Sequence, residues 1–396
     1  MAASFLSHVV SDLCIGKPPV RVIPPSTPVA AALDALRAGG DPFVFVAAES
    51  YSRAKNTATW RVSRVSVADV LCYVCDGAEN LSDPAGALGR PVSAVGDHGA
   101  TRRVDSQASL LDAIDALLSS DSQSLLVPLH TRARRKHHHA SGYAAANGAA
   151  DYCVLTREDI VRHLFSNSIS LFSPVTALTV SSLGLVRRDV HTIHADDDAL
   201  GSIPLLRRSI AEGTAVAVVA DDGALVGEIC PGVLGSCDVE SVSAAFAALS
   251  VGDVMTYIDC SLSPPEFLLR SIRAQLRDRG MDAMADLMDA ASLPLSPSSS
   301  SSTSSDEESN SPLGRSRCAR RASTGRFRCR STDDVAACHA GSSLLAVMAQ
   351  ALAHRVGYVW VVDEVTCALT GVVSFADVLA VLREHLRADA TQLKDV

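Results

Sequence analysis

Aromatic residues, long apolar runs and targeting segments are all scarce or missing in this sequence of 396 residues. Phe, Trp and Tyr make up 4% of the residues although 47% are hydrophobic, so a core must be built mainly from Ala, Val and other aliphatic side chains. No apolar run reaches the roughly 18 residues that suggest a membrane span. The start, MAASFLSHVVSDL, lacks the basic and long apolar regions of a secretory signal. The sequence therefore predicts an intracellular, cytoplasmic protein that does not enter a membrane.

Sequence signs of catalysis or of metal binding are missing too. The motifs of P-loop nucleotide hydrolases, α/β-hydrolases, zinc proteases and protein kinases are not found. Cys72 and Cys75 form a C-x-x-C inside a predicted helix, with no second pair at zinc spacing, so we interpret them as core residues. The 11 cysteines lack the spacing of a disulfide scaffold, which favours a reducing compartment. We expect a protein that is not an enzyme, and the net charge of −9 argues against nucleic acid as a partner.

A unit of strand, helix, two strands and a second helix recurs four times along the chain. Spacing supports this division. Asp159 and Val233, at the same place in successive units, are 74 positions apart. Val233 and Asp377 are 144 positions apart, which becomes 74 once the 70 residues of 261–330 are set aside. The predicted fold class is therefore α/β, with one small sheet and its helices in each repeat.

Two stretches fall outside the repeats. Residues 129–150 carry the run RARRKHHH, and the linker at 261–330 is Ser-rich and then Arg-rich. Neither has the apolar periodicity needed to offset the entropy of ordering, so both are predicted to be largely disordered. A metal or an acidic partner for the first and nucleic acid for the Arg-rich run are less favoured alternatives, and the Ser tract suits phosphorylation. The repeats are placed at residues 1–80, at 88–168 with the insert 129–150, at 171–249, and at 250–260 joined to 331–390.

Three of the four repeats carry a hydroxyl residue and an aspartate where a strand passes into a helix. The motif reads RVSRVSVADVL at 61–71, YCVLTREDIV at 152–161 and GVVSFADVL at 371–379. The hydroxyl lies beside unpaired backbone N–H groups, the helix dipole favours an anion there, and a carboxylate one turn later can accept from a cis-diol. The pattern also resembles a capping box, which needs no ligand, and this alternative stays open. The candidate binding residues are Ser66, Asp69, Thr156, Asp159, Ser374 and Asp377.

The repeats resemble the cystathionine-β-synthase (CBS) domain family. The resemblance rests on the motif, which is fullest in the last repeat as GYVWVVDEVTCALTGVVSFADVL, and on segments like those that precede CBS repeats, VSDL at 10–13, RPVSAV at 90–95 and SVGDVM at 250–255. The chain is similar to plant proteins built of four CBS repeats and nothing else. The resemblance implies that the repeats associate as two paired modules, called Bateman modules, over residues 1–168 and 169–396.

The resemblance also implies a ligand and a place for it. CBS pairs bind adenosine-containing ligands in clefts between their repeats, so Asp377 is expected to accept from ribose hydroxyls and Ser374 to face the phosphates, and the other two pairs likewise. The third repeat departs from the pattern, with Cys230 and Val233 at the hydroxyl and aspartate positions. Because Val cannot accept a hydrogen bond, we expect that site to be lost. His354 and Arg355, just before a strand of the last repeat, either steer phosphates or form an ordinary exposed helix end, which is favoured.

The function expected is that of a non-catalytic regulatory protein that senses AMP, ADP, ATP or S-adenosylmethionine and modulates a partner protein, of the kinase or thioredoxin type. No cofactor is required for this role, and a homodimer through helical faces is expected. Two alternatives stay open. One is an interaction scaffold whose clefts are vestigial and whose control lies in the Ser/Arg linker. The other is a redox modulator of the thioredoxin system.

Overall fold

The computed structural model describes residues 8–39, 42–52, 57–96, 101–119, 123–129, 151–167, 172–261, 263–291 and 335–392. The predicted insert at 129–150, apart from Leu129, lies outside these residues. So do positions 292–330 of the predicted linker, with the Ser tract and the Arg-rich run.

The first module, residues 8–167, contains two copies of the predicted unit. Repeat 1 holds a 3-10 helix at Val10–Cys14, β1 at Val22–Ile23, α1 at Val29–Gly39, β2 at Phe43–Ser52, β3 at Thr57–Ser66 and α2 at Val67–Val74. The connection to repeat 2 contains α3 at Ala78–Ser82, α4 at Pro84–Gly89 and a 3-10 helix at Val92–Val95. Repeat 2 holds β4 at Arg102–Arg103, α5 at Leu110–Ser119, β5 at Ser124–Pro128, β6 at Tyr152–Thr156 and α6 at Arg157–Asn167.

The second module, residues 172–392, repeats the arrangement with an addition. Repeat 3 holds α7 at Ser173–Thr176, β7 at Thr192–His194, a 3-10 helix at Ala199–Ser202, α8 at Ile203–Glu212, β8 at Val216–Val219, β9 at Leu225–Ile229, α9 at Pro231–Leu234 and α10 at Val239–Ala248. Repeat 4 begins with α11 at Val251–Asp259, which is followed by the added helices α12 at Glu266–Asp278 and α13 at Asp282–Ala291. It continues with β10 at Ala337–His339, α14 at Leu344–His354, β11 at Tyr358–Val362, β12 at Leu369–Ser374 and α15 at Phe375–Gln392.

Each repeat forms a three-stranded sheet of the same topology, with its second strand in the centre. The first strand pairs with the central strand in parallel and the third pairs with it antiparallel. In repeat 4, Ala337 stands opposite Trp360 in parallel register, and Val359 stands opposite Val373 antiparallel. The central strand YVWVV is buried along its whole length, as expected of an apolar run covered on both faces. The predicted α/β fold of four small repeats is confirmed.

The repeats of each module are joined by a lead-in segment, which belongs to the start of the first repeat and binds to the second repeat. The two lead-in segments are residues 9–17 and 179–187. In the first module, the N–H of Val10 donates to the carbonyl of Ala108 at 2.9 Å. In the second, the N–H of Val180 donates to the carbonyl of Ser342, also at 2.9 Å. The sheets of repeats 1 and 2, and those of repeats 3 and 4, also share small apolar cores. The predicted arrangement as two paired modules is therefore present.

The helices of the two modules pack against each other within the chain. One large core joins helices of repeats 1 and 3, and another joins those of repeats 2 and 4. Ion pairs cross at the rims of both, with Arg37 Nη2 at 2.8 Å from Asp238 Oδ1 and Arg387 Nη2 at 2.7 Å from Asp115 Oδ2. The helical faces expected to form a homodimer are thus covered inside one chain, and a homodimer would need another surface.

The prediction that disorder begins at residue 261 is wrong for residues 263–291. Leu268, Ile272 and Leu276 are spaced four residues apart along α12 and are fully buried, as are Met284 and Met288 of α13. Both helices pack on α10. Five such side chains contribute roughly 1.5–3 kcal/mol each on burial, enough to order a short segment. The sequence prediction missed them because it extended the composition of the following Ser/Arg tract back over an amphipathic stretch.

Candidate functional site

The three predicted hydroxyl–aspartate pairs all form capping boxes at the starts of their helices. In each box the aspartate Oδ2 accepts from the backbone N–H and the hydroxyl of the cap residue, and the hydroxyl oxygen accepts from the aspartate N–H. The distances from cap nitrogen to Oδ2 are 2.7 Å for Ser66 and Asp69, 2.7 Å for Thr156 and Asp159, and 2.8 Å for Ser374 and Asp377. The capping alternative is therefore real, and it uses one carboxylate oxygen in each box.

Two of the three aspartates also face a cation that the sequence analysis missed. Lys17 Nζ donates to Asp159 Oδ2 and, at 2.8 Å, to the carbonyl of Val154. Arg187 Nε lies 3.3 Å from Asp377 Oδ2, within ion-pair range but outside hydrogen-bond geometry. Lys17 and Arg187 occupy corresponding places, each at the end of its lead-in segment and seven residues after a buried valine. In both modules, then, the first repeat supplies a cation to the aspartate of the second repeat.

A cleft of about 230 Å³ opens at the Asp159 box, between repeats 1 and 2. Its polar walls are Lys17, Arg21, Thr156 and Asp159, and its apolar walls come from the proline-rich segment before β1, from Val154, and from the β2 residues Phe43 and Phe45. The two Phe rings meet edge to face at 5.7 Å between centroids. The cleft thus brings together a carboxylate, two cations and an aromatic wall, and its volume is just below that of typical small-molecule sites.

Asp69 lies in a different place, on an open cavity of about 220 Å³ that residues of all four repeats line. Pro42 and Phe43 line both this central cavity and the Asp159 cleft. Burial lowers the pKa of the Arg64 guanidinium, and the nearby Asp69 partly offsets this. The other lining residues include Ser66, Gln123, Gly213, Cys230, Arg355 and Tyr358. The predicted pairs of repeats 1 and 2 are therefore not equivalent in their surroundings.

Asp377 lies close to a group of arginines, one of which, Arg187, is 3.3 Å from it. Burial lowers the pKa of Arg157, the neighbouring charges of Arg64 and Arg187 lower it further, and Asp377 raises it. Arg157 Nη2 donates to the carbonyl of Leu117 at 3.0 Å. Arg157 is therefore near enough to arginines of two other repeats to be repelled by both, and Asp377 partly compensates this repulsion.

The third repeat has no comparable box. Cys230 precedes α9 without a side-chain cap bond, and Val233 is 48% exposed. Beside them, Glu228 Oε2 accepts from the hydroxyl of Tyr358 at 2.9 Å and from Trp360 Nε1 at 2.7 Å. Buried aromatic rings therefore occupy the sheet interface next to this position. Loss of the third site stays a prediction, and this packing is consistent with it.

The remaining sequence candidates have structural roles or lie outside the described part of the chain. Cys72 and Cys75 are 1% and 5% exposed, burial raises the pKa of Cys75 to about 12, and its thiol lies 4.0 Å from the carbonyl of Ser243. Among the residues placed by the structure, no three His, Cys, Asp or Glu side chains could hold a metal ion. Nor is any helix placed there long and apolar enough to cross a membrane. The run RARRKHHH lies outside the described residues.

Comparison with known proteins identifies the family. No protein-family model matches the chain. Among curated proteins, it is 36% identical over 406 residues to the CBS domain-containing protein CBSX5 of Arabidopsis thaliana, covering 98% of this chain and 100% of the relative. It is 24% identical over 431 residues to CBSX6 of the same plant, covering 97% and 95%.

A solved structure, that of protein MJ1225 from Methanocaldococcus jannaschii, described as a candidate archaeal homologue of γ-AMPK, is similar in fold. The TM-score is 0.53 at 14% identity, covering 95% of this chain and 100% of that one. At that identity the likeness concerns the fold alone. The relation to CBSX5 extends over nearly the whole chain, and together with the four repeats it shows that this chain belongs to the family of CBS domain-containing proteins.

Proposed function

We propose that this chain is a non-catalytic regulatory protein that binds an adenine nucleotide at the Asp159 cleft and thereby modulates a partner protein. The observation that carries the proposal is the composition of that cleft, where a carboxylate, two cations and an aromatic wall line one opening between two repeats. A nucleotide presents the complementary groups, which are a cis-diol, phosphates and a flat apolar base. Its binding would influence a partner only through different affinity for two arrangements of the modules.

Each group of the nucleotide has a candidate contact in the cleft. The carboxylate of Asp159 would accept from the ribose hydroxyls, since the box engages its Oδ2 and carboxylates have further acceptor capacity. Phe43 and Phe45 would pack against the base. Lys17 would turn from Asp159 toward the phosphates, because a cation between two anionic groups follows the stronger one.

Charge favours AMP, ADP or ATP over S-adenosylmethionine as the ligand. The cleft holds Lys17 and Arg21 against a single carboxylate, and the adjoining central cavity adds Arg64 and Arg355 against Asp69. A sulfonium cation would be repelled by this excess of positive charge, whereas phosphates would be attracted. This preference is part of the proposal.

A thermal-shift titration with AMP, ATP and S-adenosylmethionine tests the proposal. A ligand at about 100 times its dissociation constant stabilises the folded chain by roughly 2.7 kcal/mol. Asp159→Asn keeps an acceptor for the cap and removes the charge, so the shift should fall as affinity drops about tenfold or more.

Asp112→Asn is the matched control, because Ser109 and Asp112 form a capping box of the same kind on α5, with the hydroxyl at 2.7 Å from Oδ2. The control should lose a small stability from its cap, without the Lys17 ion pair that Asp159→Asn also removes, but keep the ligand shift. A shift that survives Asp159→Asn, or no shift with any of the three compounds, would remove the basis of the proposal.

A scaffold is the second candidate function, because the capping boxes explain the hydroxyl–aspartate motif without any ligand. For a scaffold, Asp159→Asn would leave partner capture unchanged while deletion of 292–330 would abolish it. Copurification of a kinase, or activation of a thioredoxin by this chain with and without nucleotide, would distinguish the two types expected.

A further inference from the structure

The added helices α12 and α13 fold back on each other as an antiparallel hairpin. A turn at residues 279–281, with Gly280 at a φ of +69°, joins them. Arg273 of α12 lies 2.8 Å from Asp289 of α13, a pairing that the antiparallel return of the second helix brings about. Both helices turn their buried side chains to α10 and the core around it. Their opposite faces, which together we call the outer face of the hairpin, therefore point away from the chain.

The outer face carries one large apolar side chain among small ones. Phe267 of α12 is 62% exposed. Ala274, seven residues later and so on the same side of the helix, is exposed too, as is Ala290 of α13. A single exposed aromatic side chain is ordinary on a protein surface. The case for a partner therefore depends on the charges that lie beside it.

The two helices carry net charges of opposite sign. α12 has three arginines against two acidic residues, and α13 has three aspartates and no basic residue. Two of the arginines have partners inside the hairpin, Arg273 with Asp289 and, at 3.6 Å, Arg270 with Glu266. The hairpin itself thus contains one example of an α12 arginine paired with an α13 aspartate.

Three charged side chains of the outer face have no such partner. Arg277 near the end of α12, and Asp282 and Asp286 in the first turns of α13, are exposed. They make no side-chain hydrogen bond or ion pair with any other residue that the structure describes. Because each residue advances 1.5 Å along a helix, these charges lie near the turn, whereas Phe267 and Ala290 lie at the open end of the hairpin.

A second copy of this chain is complementary to that face. A two-fold axis parallel to the helices would lay α12 of each chain along α13 of the other, with Arg277 on the aspartates and Phe267 over Ala290. An axis perpendicular to the helices would instead lay α12 on α12 and bring the two Arg277 side chains together. Like charges in direct opposition are unfavourable, so charge selects the first arrangement, in which each contact occurs twice.

We propose that this chain forms a homodimer through the outer faces of two α12–α13 hairpins, with Arg277 of each chain placed on Asp282 and Asp286 of the other. The large helical cores between the modules are filled within each chain, so this contact leaves both modules as they are. The dimer needs no nucleotide and does not depend on the proposed function.

The size of the hairpin sets the strength of the contact. α12 has 13 residues and is therefore about 20 Å long, and two helices side by side are about 20 Å wide. Each chain then contributes a face of about 400 Å², roughly half of what a standard interface takes from each partner. We therefore expect a reversible dimer with a dissociation constant of about 10–100 µM.

Sedimentation of the full chain at increasing concentration is the first test. Between about 1 and 500 µM, a range that brackets the expected constant, the average mass should rise from that of one chain toward that of two. Added salt should weaken the association, because the contact is between exposed charges. A chain that keeps the monomer mass throughout would overturn the inference.

Charge reversal distinguishes this surface from any other. Arg277→Asp, and Asp282→Arg combined with Asp286→Arg, should each weaken association at least about tenfold, since every change is present twice in the dimer. The combined change takes the net charge from −9 to −5, because each reversal adds two charges. General repulsion between chains would then fall, so only loss of the local pairing explains weaker association. Arg208→Asp, at an exposed position of α8, is the control and should dimerise like the wild type.

Mixing the two weakened variants tests the two-fold arrangement itself. The acidic residue 277 of one variant would lie on the basic α13 of the other, and the unchanged groups would meet on the opposite side. The mixture should therefore form heterodimers with about the wild-type affinity, whereas Arg277→Lys alone, which keeps its charge, should stay dimeric. Weakening that mixing does not restore would contradict the arrangement, and a dimer that neither variant weakens would place the contact elsewhere. Either result would overturn the inference.

Discussion

Gly371 marks a place where two backbones approach so closely that a single methyl group should separate them. A Cβ built on Gly371 would lie 2.5 Å from the carbonyl oxygen of Arg187 and 2.6 Å from Val186 Cγ1. Next to it, Arg187 and Val372 form a two-way backbone bridge, with N–H to carbonyl distances of 3.0 and 2.9 Å. Gly371→Ala must therefore push the Arg187 segment away from β12.

The size of the effect follows from these distances. Real Cβ contacts seldom fall below about 3.4 Å, so the two segments must move apart by about 0.9 Å. Both bridging hydrogen bonds would then exceed 3.5 Å and be lost. At about 0.5–1.5 kcal/mol each, the loss is about 1–3 kcal/mol, in line with overpacking elsewhere. For a module of this size, about 2 kcal/mol corresponds to a fall in Tm of roughly 4–8 °C.

Calorimetric unfolding of Gly371→Ala against Gly341→Ala tests this reasoning. A Cβ at Gly341 would meet no atom within 4 Å, so that variant should match the wild type or gain up to about 1 kcal/mol from the less flexible unfolded chain. If the two alanine variants unfold at the same temperature, the close approach of β12 to the Arg187 segment does not exist as described.

Two further predictions concern the added helices and pH. Ile272→Ala removes a fully buried side chain of α12 and should lower the free energy of unfolding by about 2–5 kcal/mol. Urea titration measures this, with Arg270→Ala on the exposed face as the control. A difference below about 1 kcal/mol between the two variants would mean that α12 is not part of the core. Burial and the neighbouring His8 lower the pKa of His163, so its contribution to stability is present above pH 6.5 and is lost as pH falls through the folded pKa. His163→Gln should therefore flatten the stability profile below about pH 6.5, and a profile as steep as the wild type would refute this assignment.

The fold could be predicted because its strands and helices follow from local sequence patterns. In each repeat the strands are short apolar runs and the helices show 3.6-residue periodicity, so the sheets could be predicted. The hydroxyl–aspartate motif marked the positions of the three boxes. The added helices were missed because Leu268, Ile272 and Leu276 lie in a segment whose later composition is polar. Here, periodicity over a dozen residues was the better guide than average composition over seventy.

Only part of the candidate site could be predicted from the sequence, and the reason is a different one. The aspartates belong to a motif, but Lys17 and Arg187 reach them from another repeat, and no local pattern reveals such a partner. A signal did exist, since each cation stands seven residues after a valine in its lead-in segment. Recognising it required knowing that lead-in segments exchange between repeats, which is a property of the assembled pair.

The two modules use the same frame differently, and the scarce aromatic residues show how. In the first module, Phe43 and Phe45 line the open Asp159 cleft, and Phe43 also lines the central cavity. In the second, Tyr358 and Trp360 are buried on Glu228, and Gly371 lets the Arg187 segment pair directly with β12. Arg355 and Tyr358 then bring the second module to the central cavity that Phe43 and Asp69 reach from the first. A nucleotide at the proposed site would therefore contact Phe43, which also lines the cavity between the two modules. If the nucleotide binds one arrangement of the modules more tightly than another, it shifts the population toward that arrangement.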